Sequence, residues 1–277
     1  MGKVSILSLV FMLLSLIVSY GIPVFLYIFL RKKKADPIPF FVGCAVFLIF
    51  ALILEAFIHQ IILGSSVGAV IRGKIWLYGI YGGLMAGLFE ETGRYLAMRY
   101  ALNRYMYKDI NALMYGAGHG GFECIALLGI AMTNNFIISI LINSGMTDLI
   151  TKSVPAEVLS QLTDAFDLLI TTPSYHFILG ACERVFAVII HLSMSVLVWI
   201  AVKYRRTLFY IIAILLHAVV DCATVVVQDI VGSVLVTEAV ILILSLVLAW
   251  ISAAVFRKNN DSGTGIFGIL SKKNLRY

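Results

Sequence analysis

Charged residues are scarce in this chain. Asp, Glu, Lys and Arg make up only 13% of the 277 residues, and 61% are hydrophobic, whereas ordinary soluble domains carry about 25% charged residues. The composition excludes an ordinary soluble domain and indicates a polytopic protein of the lipid bilayer. The net charge of +6 does not indicate nucleic-acid binding, because the basic residues form short clusters beside apolar segments, as topology signals do.

Motifs for local disulfide or metal chemistry are also missing. The four cysteines lie in apolar segments and form no CxxC pair, which argues against a disulfide framework and a zinc ribbon. The sequence contains no HExxH, the local motif of many soluble zinc proteases. Any metal site therefore has to be assembled from residues on separate segments.

Apolar segments predict an all-α fold. Crossing a ~30 Å hydrocarbon core takes ~20 helical residues, and segments of that length lie near 5–30, 39–63, 75–98, 110–142, 174–202, 207–231 and 234–256. The sequence predicts a polytopic membrane helix bundle with about seven transmembrane helices. The first segment has no small-residue cleavage site and ends in RKKK, so we interpret it as a retained membrane helix rather than a signal peptide.

The basic residues predict the orientation of these helices. Fifteen of the 21 Lys and Arg residues lie in the segments 31–34, 99–108, 203–206 and 257–276. The positive-inside rule therefore predicts an N-terminus outside and a C-terminus in the cytoplasm. We expect an integral protein of the bacterial cytoplasmic membrane.

The chain is expected to form a single transmembrane helical domain over residues 1–256, with the functional helices at about 75–231. The longest outer loop, 145–173, contains VPAEVLSQLTDAFDLLI, in which apolar residues recur at helical spacing with acids between them. This pattern predicts an amphipathic helix on the outer surface. Residues 257–277 are expected to form a cytoplasmic tail.

The stretch LFEETGRY, residues 88–95, places two carboxylates and an arginine in a predicted membrane helix. An ionised group at bilayer depth costs at least ~2.5–3.5 kcal/mol, so such residues are rare and usually functional. Arg94 follows Glu90 by four residues, a spacing that lets it lie beside a carboxylate and reduce the cost of burial.

Four predicted helices deliver a carboxylate or an imidazole to one depth. Counted from the cytoplasmic end of each helix, Glu90, Glu91, His119, His191 and His217 lie about eight to eleven residues in, which at ~1.5 Å per residue defines one layer ~12–17 Å deep. Histidines without a common role would have no reason to share a plane. The layer is therefore the candidate functional site.

Residue spacing places two further acids, Glu123 and Asp221, in this layer, and nearby glycines are expected to leave space there. Glu123 follows His119 by four residues and Asp221 follows His217 by four, so each pair lies on one helix face. Glycine repeats every four residues at 79, 83 and 87, which favours close helix packing. The glycines of GAGHGG, residues 116–121, are expected to leave space around His119 for a metal, a water or an extended peptide.

Three imidazoles and several carboxylates are a sufficient ligand set for zinc, whose catalytic sites use three protein ligands and keep one position open for water. A further glutamate could take the proton from that water. The pattern thus predicts a zinc hydrolase site, although histidine and carboxylate chains in membranes also form proton relays and ion sites.

The ordered motifs EETGR (90–94), HGGFE (119–123), ER with a later histidine (183–191) and HAVVD (217–221) resemble the YhfC family of intramembrane metalloproteases. That family is distantly related to PrsW and to the CAAX-protease and bacteriocin-immunity proteins. The match covers about residues 75–230. In the CAAX-protease relatives the second motif ends in histidine, whereas here histidine opens it and glutamate closes it.

The resemblance implies a role for each motif residue. Glu90 or Glu91 would activate the hydrolytic water, and Arg94 belongs to the same catalytic motif. The other five residues would bind zinc, polarise the scissile carbonyl or orient the ligands, namely His119, Glu123, His191, His217 and Asp221. The implied activity is hydrolysis of a peptide bond in a membrane-embedded or membrane-anchored protein.

Other interpretations remain open at this stage. EETGR could be an interfacial pair that reaches water, and Glu183 and Arg184 could form a local ion pair or hold a substrate carbonyl. Glu55 and His59 lie in the outer part of the second predicted helix, away from the layer, where structural pairing is favoured. The alternative functions are a proton- or metal-coupled transporter and a non-catalytic immunity or binding protein.

Overall fold

The computed structural model describes residues 2–152 and 154–259. This part of the chain is helical and contains no strand. Most of the predicted tail, residues 260–277, lies outside the described residues. The helices are α1 (Ile6–Lys32), α2 (Ile38–Leu63), α3 (Ser66–Arg72), α4 (Ile75–Leu96), α5 (Ile110–Asn143), α6 (Asp148–Thr151), α7 (Ala156–Thr171), α8 (Tyr175–Lys203), α9 (Leu208–Val231) and α10 (Val234–Asn259).

π-Helical turns interrupt or extend three of these helices. Phe47–Glu55 forms the middle of α2, Ala97–Ala101 continues α4, and Cys124–Gly129 lies within α5. Such turns are frequent at functional sites because they re-aim side chains within a helix. Two of them begin or end at residues near the candidate site.

Six helices are long and apolar enough to cross a membrane: α1, α2, α5, α8, α9 and α10. They confirm the prediction of a polytopic membrane helix bundle. The predicted third membrane helix is α4, which has 22 residues but carries Glu90, Glu91 and Arg94, and it is not among the six. The number of membrane crossings and the orientation of the termini stay predictions.

The chain divides into two compact units. The first contains the residues up to Ile22 together with Cys124–Val185, and the second contains Pro23–Glu123 together with the described residues from Phe186 onward. The expected single domain stays a prediction. Every residue predicted for the catalytic and metal site belongs to the second unit.

The core of the first unit includes one face of α7. Phe166 and Leu169 of this helix are buried together with Met12 and Phe177. Leu168, by contrast, is 65% exposed. The predicted helix in loop 145–173 is therefore present as α7, whereas its position on the outer membrane surface stays a prediction.

The second unit depends on close backbone approaches between its helices. A Cβ atom at Gly83 of α4 would lie 2.3 Å from the carbonyl oxygen of Ala218 in α9. A Cβ atom at Gly118 of α5 would lie 1.9 Å from the carbonyl oxygen of Phe40 in α2. Glycine is required at both positions because any side chain would push the two helices apart, as in other small-residue interfaces of membrane helices.

A polar cluster fixes the turn between α1 and α2 to the start of α5. The Asp36 carboxylate accepts hydrogen bonds from Lys108, Tyr107 and Asn111, and the Asp36 amide donates to the Asn111 side chain. Burial raises the pKa of Asp36, but these hydrogen bonds lower the pKa more, and the net direction is downward. The ionised carboxylate is therefore the form that holds α5 in place.

Candidate metal centre

Four helices of the second unit supply the site. Helix α4 contributes Glu90, Glu91 and Arg94, α5 contributes His119 and Glu123, α8 contributes His191, and α9 contributes His217 and Asp221. Seven of these eight residues are buried, and Asp221 is partly exposed. The structure brings all eight predicted residues into one connected network of side chains. Independent helices do supply side chains to a common layer, as the matched depths predict.

Glu90 lies between two histidines from different helices. Its Oε2 atom is 2.9 Å from His119 Nε2 and 3.9 Å from His191 Nδ1. The two imidazole rings lie 4.8 Å apart, centre to centre. One ligand atom from each of these three buried residues lies within 4.8 Å of the others, so a single metal ion could bind all three with small side-chain movements.

Glu91 points to a different side of α4 from Glu90. Consecutive residues of a helix point ~100° apart, and Glu91 contacts α9 while Glu90 contacts α5. The distance from Glu91 Oε1 to His217 Nδ1 is 2.8 Å, and the other ring nitrogen of His217 lies 3.5 Å from Asp221 Oδ2. His217 is therefore held between two carboxylates, beside the Glu90 cluster rather than inside it.

Arg94 is fully buried and joins the two halves of the network. Its Nη1 atom lies 3.1 Å from Glu91 Oε1, and its Nη2 atom donates a hydrogen bond to His191 Nδ1 at 3.1 Å. The sequence spacing favoured Glu90 as the partner of Arg94, four residues away. The structure instead has the i,i+3 pair with Glu91, because Glu90 is engaged by His119.

His191 and Glu123 form a further contact between α8 and α5. Because Nδ1 of His191 accepts from Arg94, this contact involves the other ring nitrogen. Glu123 thus orients His191. The spacing of His119 and Glu123 predicts that they share one helix face, and Glu123 contacts His191 of α8.

The glycines around His119 are used for packing rather than for open space. A Cβ atom at Gly120 would lie 3.1 Å from His191 Cβ, and one at Gly116 would lie 2.8 Å from Ser195 Oγ. Both glycines therefore face α8, and Gly118 faces α2. The expectation of space for a peptide beside His119 was wrong at these three positions, because neighbouring helices fill it.

Two aromatic residues that the sequence did not indicate contact His119. The Phe47 ring lies edge-on at 5.3 Å, and the Tyr115 ring lies at 5.9 Å. Tyr115 also faces the Arg94 guanidinium at 5.9 Å. Tyr115 could have been found, since it precedes His119 by four residues on the same helix face; Phe47 comes from α2 and gave no signal.

Glu55 and His59 form a pair in the second unit. The Glu55 carboxylate pairs with His59 at 3.1 Å, as predicted, and the other ring nitrogen of His59 lies 2.8 Å from the Tyr81 hydroxyl. Glu55 is buried and within electrostatic reach of Glu90, His217 and Asp221. The pair of Glu55 with His59 is the structural pairing that the sequence favours, and its position away from the layer stays a prediction. The π-helical segment ending at Glu55 separates it from Phe47, which faces the site.

Glu183 and Arg184 lie in the first unit, where their side chains form an ion pair with each other. The sequence left two roles open for these residues, a local ion pair and binding of a substrate carbonyl, and the structure has the local ion pair.

Comparison with known proteins gives the family. The chain matches the family described as YhfC intramembrane metalloprotease over residues 18–242. The chain belongs to the YhfC family. The matched range contains every residue of the network, as the resemblance of the four motifs predicted.

A relative of known sequence supports this assignment. The "Uncharacterized membrane protein YhfC" of Bacillus subtilis (strain 168) is 36% identical over 224 residues, which cover 80% of this chain and 85% of the relative. No solved structure matches the chain. The relative and the six apolar helices support an integral membrane protein.

The residues present fit the metal that the YhfC family description implies. Imidazole and carboxylate are ligands for zinc and for several other divalent metals. Among the described residues, His119 Nδ1 and Glu91 Oε2 are buried without a hydrogen-bond partner. Because buried polar atoms are nearly always paired, this cluster is suited to a further polar group.

Proposed function

We propose that this chain is an intramembrane metallopeptidase that hydrolyses a peptide bond of a membrane-embedded or membrane-anchored protein in the bacterial cytoplasmic membrane. One observation carries the proposal: Glu90, His119 and His191 come from three helices and meet as a buried cluster. Burying three such groups together is costly unless they share a ligand or a partner. The family description supplies the reaction class.

Glu90, His119 and His191 would hold the metal, for which we propose Zn²⁺. His191 would bind it through Nδ1, the nitrogen that faces Glu90, after Arg94 releases that atom. When bound, zinc supplies a water of lowered pKa as a nucleophile and a Lewis acid for the scissile carbonyl. Glu123 positions the His191 imidazole by pairing with it. Metal-bound histidines are commonly oriented in this way by a carboxylate.

Glu91 and His217 would carry the proton. Peptide hydrolysis moves a proton from the attacking water to the departing amine, which requires a base that can pass it on. Glu91 Oε1 and His217 Nδ1 lie 2.8 Å apart, and Asp221 orients the other side of the imidazole. The proposal therefore divides the two adjacent glutamates between metal binding, for Glu90, and proton transfer, for Glu91.

Arg94 would provide fixed positive charge. It is held by Glu91 and faces His191, so its position is set before a substrate binds. Preorganised charge in a site shielded from water stabilises negative charge that develops on a carbonyl oxygen.

Metal analysis of single variants tests the ligand set. In detergent-purified protein we expect about one zinc ion per chain, lost in His119→Ala and in His191→Ala. His217→Ala should keep the metal and lose peptidase activity. His176→Ala, which removes a histidine outside the network, is the matched control and should behave as the wild type.

Activity is then measured on synthetic transmembrane peptides in proteoliposomes, with fragments identified by mass spectrometry. Fragments produced by the wild type and the control, but by neither metal-free variant, support a metallopeptidase. Metal loss in His217→Ala alone, with metal retained in the other two, would contradict the proposed ligand set. Metal-dependent ion flux without fragments would indicate a transporter.

A further inference from the structure

A polar cavity of about 660 Å³ lies in the second unit, apart from the candidate metal centre. It is formed where the π-helical extension of α4, the end of α8 and the start of α9 meet. These segments contain two of the basic clusters that predict the cytoplasmic side. The cavity is lined by Tyr95, Arg99, Tyr100, Asn103, Ala201, Val202, Arg205 and Thr207.

Two arginines give this cavity its charge. Arg99 donates a hydrogen bond to the Tyr95 hydroxyl at 2.7 Å, and its guanidinium lies 5.8 Å and 5.7 Å from the rings of Tyr95 and Tyr100. Within residues 2–152 and 154–259, neither Arg99 nor Arg205 has a carboxylate at ion-pair distance. Two guanidinium groups therefore line one cavity without a compensating acid from that part of the chain.

Two nearby lysines, unlike these arginines, are paired with carboxylates. Lys108 pairs with Asp36 at 2.9 Å, and Lys203 pairs with Asp109 at 2.6 Å. The acids of this region are therefore already paired with lysines, and the two arginines of the cavity remain available for an external anion.

The backbone of Arg205 adds an independent observation. Its φ of 54° lies in the left-handed region. The amide of Arg206 donates to Ala201 O at 2.9 Å and that of Arg205 to Val202 O at 3.3 Å, which is a helix ending in which this position is usually glycine.

The chain uses glycine for this purpose elsewhere. Gly145 and Gly232 have φ values of 69° and 64° at the ends of α5 and α9. An arginine held in an unfavourable backbone conformation suggests that its side chain is needed there. Lys34 has the same conformation, with φ of 66°, at the end of α1, and it does not line this cavity. It therefore provides a natural control.

The surroundings indicate what kind of anion the cavity holds. The planar guanidinium fork matches the oxygens of a phosphate group. The exposed Tyr100 is typical of the membrane interface, where aromatic residues are enriched. Leu96 and Leu208, on the adjoining turns of α4 and α9, are exposed apolar side chains that acyl chains could cover. Basic pockets between membrane helices on the cytoplasmic side commonly bind phospholipid headgroups.

We propose that Arg99 and Arg205 form a binding site for a phosphate group, supplied by the headgroup of an anionic phospholipid or by a free phosphate compound. Thr207 precedes the N-terminus of α9, whose amide groups also favour an anion. Bound phosphate would contact the side of the cavity that Tyr95 forms. The ring centres of Tyr95 and Tyr210 lie 4.7 Å apart.

Tyr95 and Tyr210 connect this side of the cavity to α4, the helix that carries Glu90 and Glu91. The Tyr210 hydroxyl lies 2.7 Å from Thr92 Oγ1, and Thr92 directly follows Glu91 in α4. A ligand in the cavity thus stabilises the end of the helix that carries the catalytic motif. The site itself does not depend on the proposed peptidase activity.

The test uses the full chain in detergent and native mass spectrometry with phosphatidylglycerol or phosphatidylcholine added. The variant Arg99→Gln with Arg205→Gly is compared with the control Lys32→Gln with Lys34→Gly. The control removes two charges from the same predicted side and makes the same change to glycine at a left-handed position. Since glycine relieves an unfavourable φ, both double variants should fold, which thermal melting checks.

Loss of two charge-assisted hydrogen bonds should weaken phosphatidylglycerol binding by about tenfold or more, while the control stays within about twofold of the wild type. Phosphatidylcholine should bind weakly to all three. Displacement of phosphatidylglycerol by inorganic phosphate would identify free phosphate as a sufficient ligand; resistance to it would identify the lipid headgroup. Equal losses in variant and control, or no preference for phosphatidylglycerol in the wild type, would overturn the proposal.

Discussion

At the scale of single residues, the site is a network in which pairs of charged or polar groups link neighbouring helices. Glu91 contacts His217, Glu123 contacts His191, and Glu90 contacts His119. These pairings explain how α4 tolerates two adjacent glutamates: an isolated buried charge is costly, whereas a paired and hydrogen-bonded one is tolerated. The arrangement also makes the network sensitive to the loss of any one member.

Arg94→Met should therefore destabilise the protein strongly. Removing one partner of a buried ion pair leaves an uncompensated charge and typically costs ~3–5 kcal/mol; here that charge is Glu91, whose side chain is 0% exposed. Arg184→Met is the matched control, because the partner of Arg184, Glu183, is 35% exposed. The measurement is thermal unfolding in detergent.

A double variant makes this prediction sharper. Glu91→Gln combined with Arg94→Met should recover part of the lost stability, since the unpaired carboxylate is then neutral. Equal destabilisation by Arg94→Met and Arg184→Met, or no recovery in the double variant, would show that the Glu91–Arg94 pair does not govern the stability of α4.

Residue spacing anticipated which groups meet but not how they pair. The sequence correctly indicated His119, His191 and His217 as neighbours, because matched depth on parallel or antiparallel helices brings side chains together. The partner of each side chain depends on how each helix is rotated about its axis relative to its neighbours. Residue spacing within one helix does not determine that rotation. For this reason Glu123 was expected beside His119 and lies against His191 instead.

At the scale of helices, the glycines of α4 set the distance between Glu91 and His217. A Cβ atom at Gly87 would lie 2.5 Å from the carbonyl oxygen of Ile214, and one at Gly83 would lie 2.3 Å from that of Ala218. Both contacts are with the backbone of α9, which cannot move aside as a flexible side chain can. Close packing of α4 on α9 is therefore a condition for the contact between Glu91 and His217.

Gly83→Ala should separate α4 from α9 and disturb the site. The added Cβ would lie 2.3 Å from a carbonyl oxygen, so we expect a lower unfolding temperature and loss of peptidase activity. Gly82→Ala is the control on the neighbouring position, because nothing lies within 4 Å of its Cβ. Alanine also favours a helix by ~0.5–1 kcal/mol over glycine, so Gly82→Ala should be neutral or stabilising.

Thermal unfolding and peptidase assays of the two variants, side by side, check this prediction. If Gly83→Ala is as stable and active as Gly82→Ala, the close approach of α4 and α9 is not required for the site.

At the scale of the whole molecule, the status of α4 decides the topology. With six membrane crossings the two ends of the chain lie on the same side, and with seven they lie on opposite sides. Helix α4 has 22 residues, which at ~1.5 Å per residue is long enough to cross. Its charged residues are paired inside the second unit, which lowers the cost of placing them at bilayer depth.

We therefore expect residues on the two sides of α4 to be labelled from opposite faces of the membrane. Lys74→Cys and Arg104→Cys, each in a cysteine-free background, are treated with a membrane-impermeant maleimide in intact cells. Lys74→Cys should react, as should the outer reference Lys3→Cys, whereas Arg104→Cys should react only after permeabilisation. Labelling of Lys74→Cys and Arg104→Cys from the same face would establish that α4 does not cross.

The sequence by itself determined the membrane setting, the helical fold class and the family resemblance, and it indicated which ionisable side chains meet in the network. These follow from composition, from helical length and from depth along each helix, which are local properties of the chain. The tertiary structure decided the partner of each charged group and the use of the glycines. These depend on the rotation and separation of packed helices, and the physical reason is that no single helix contains the contacts that fix them.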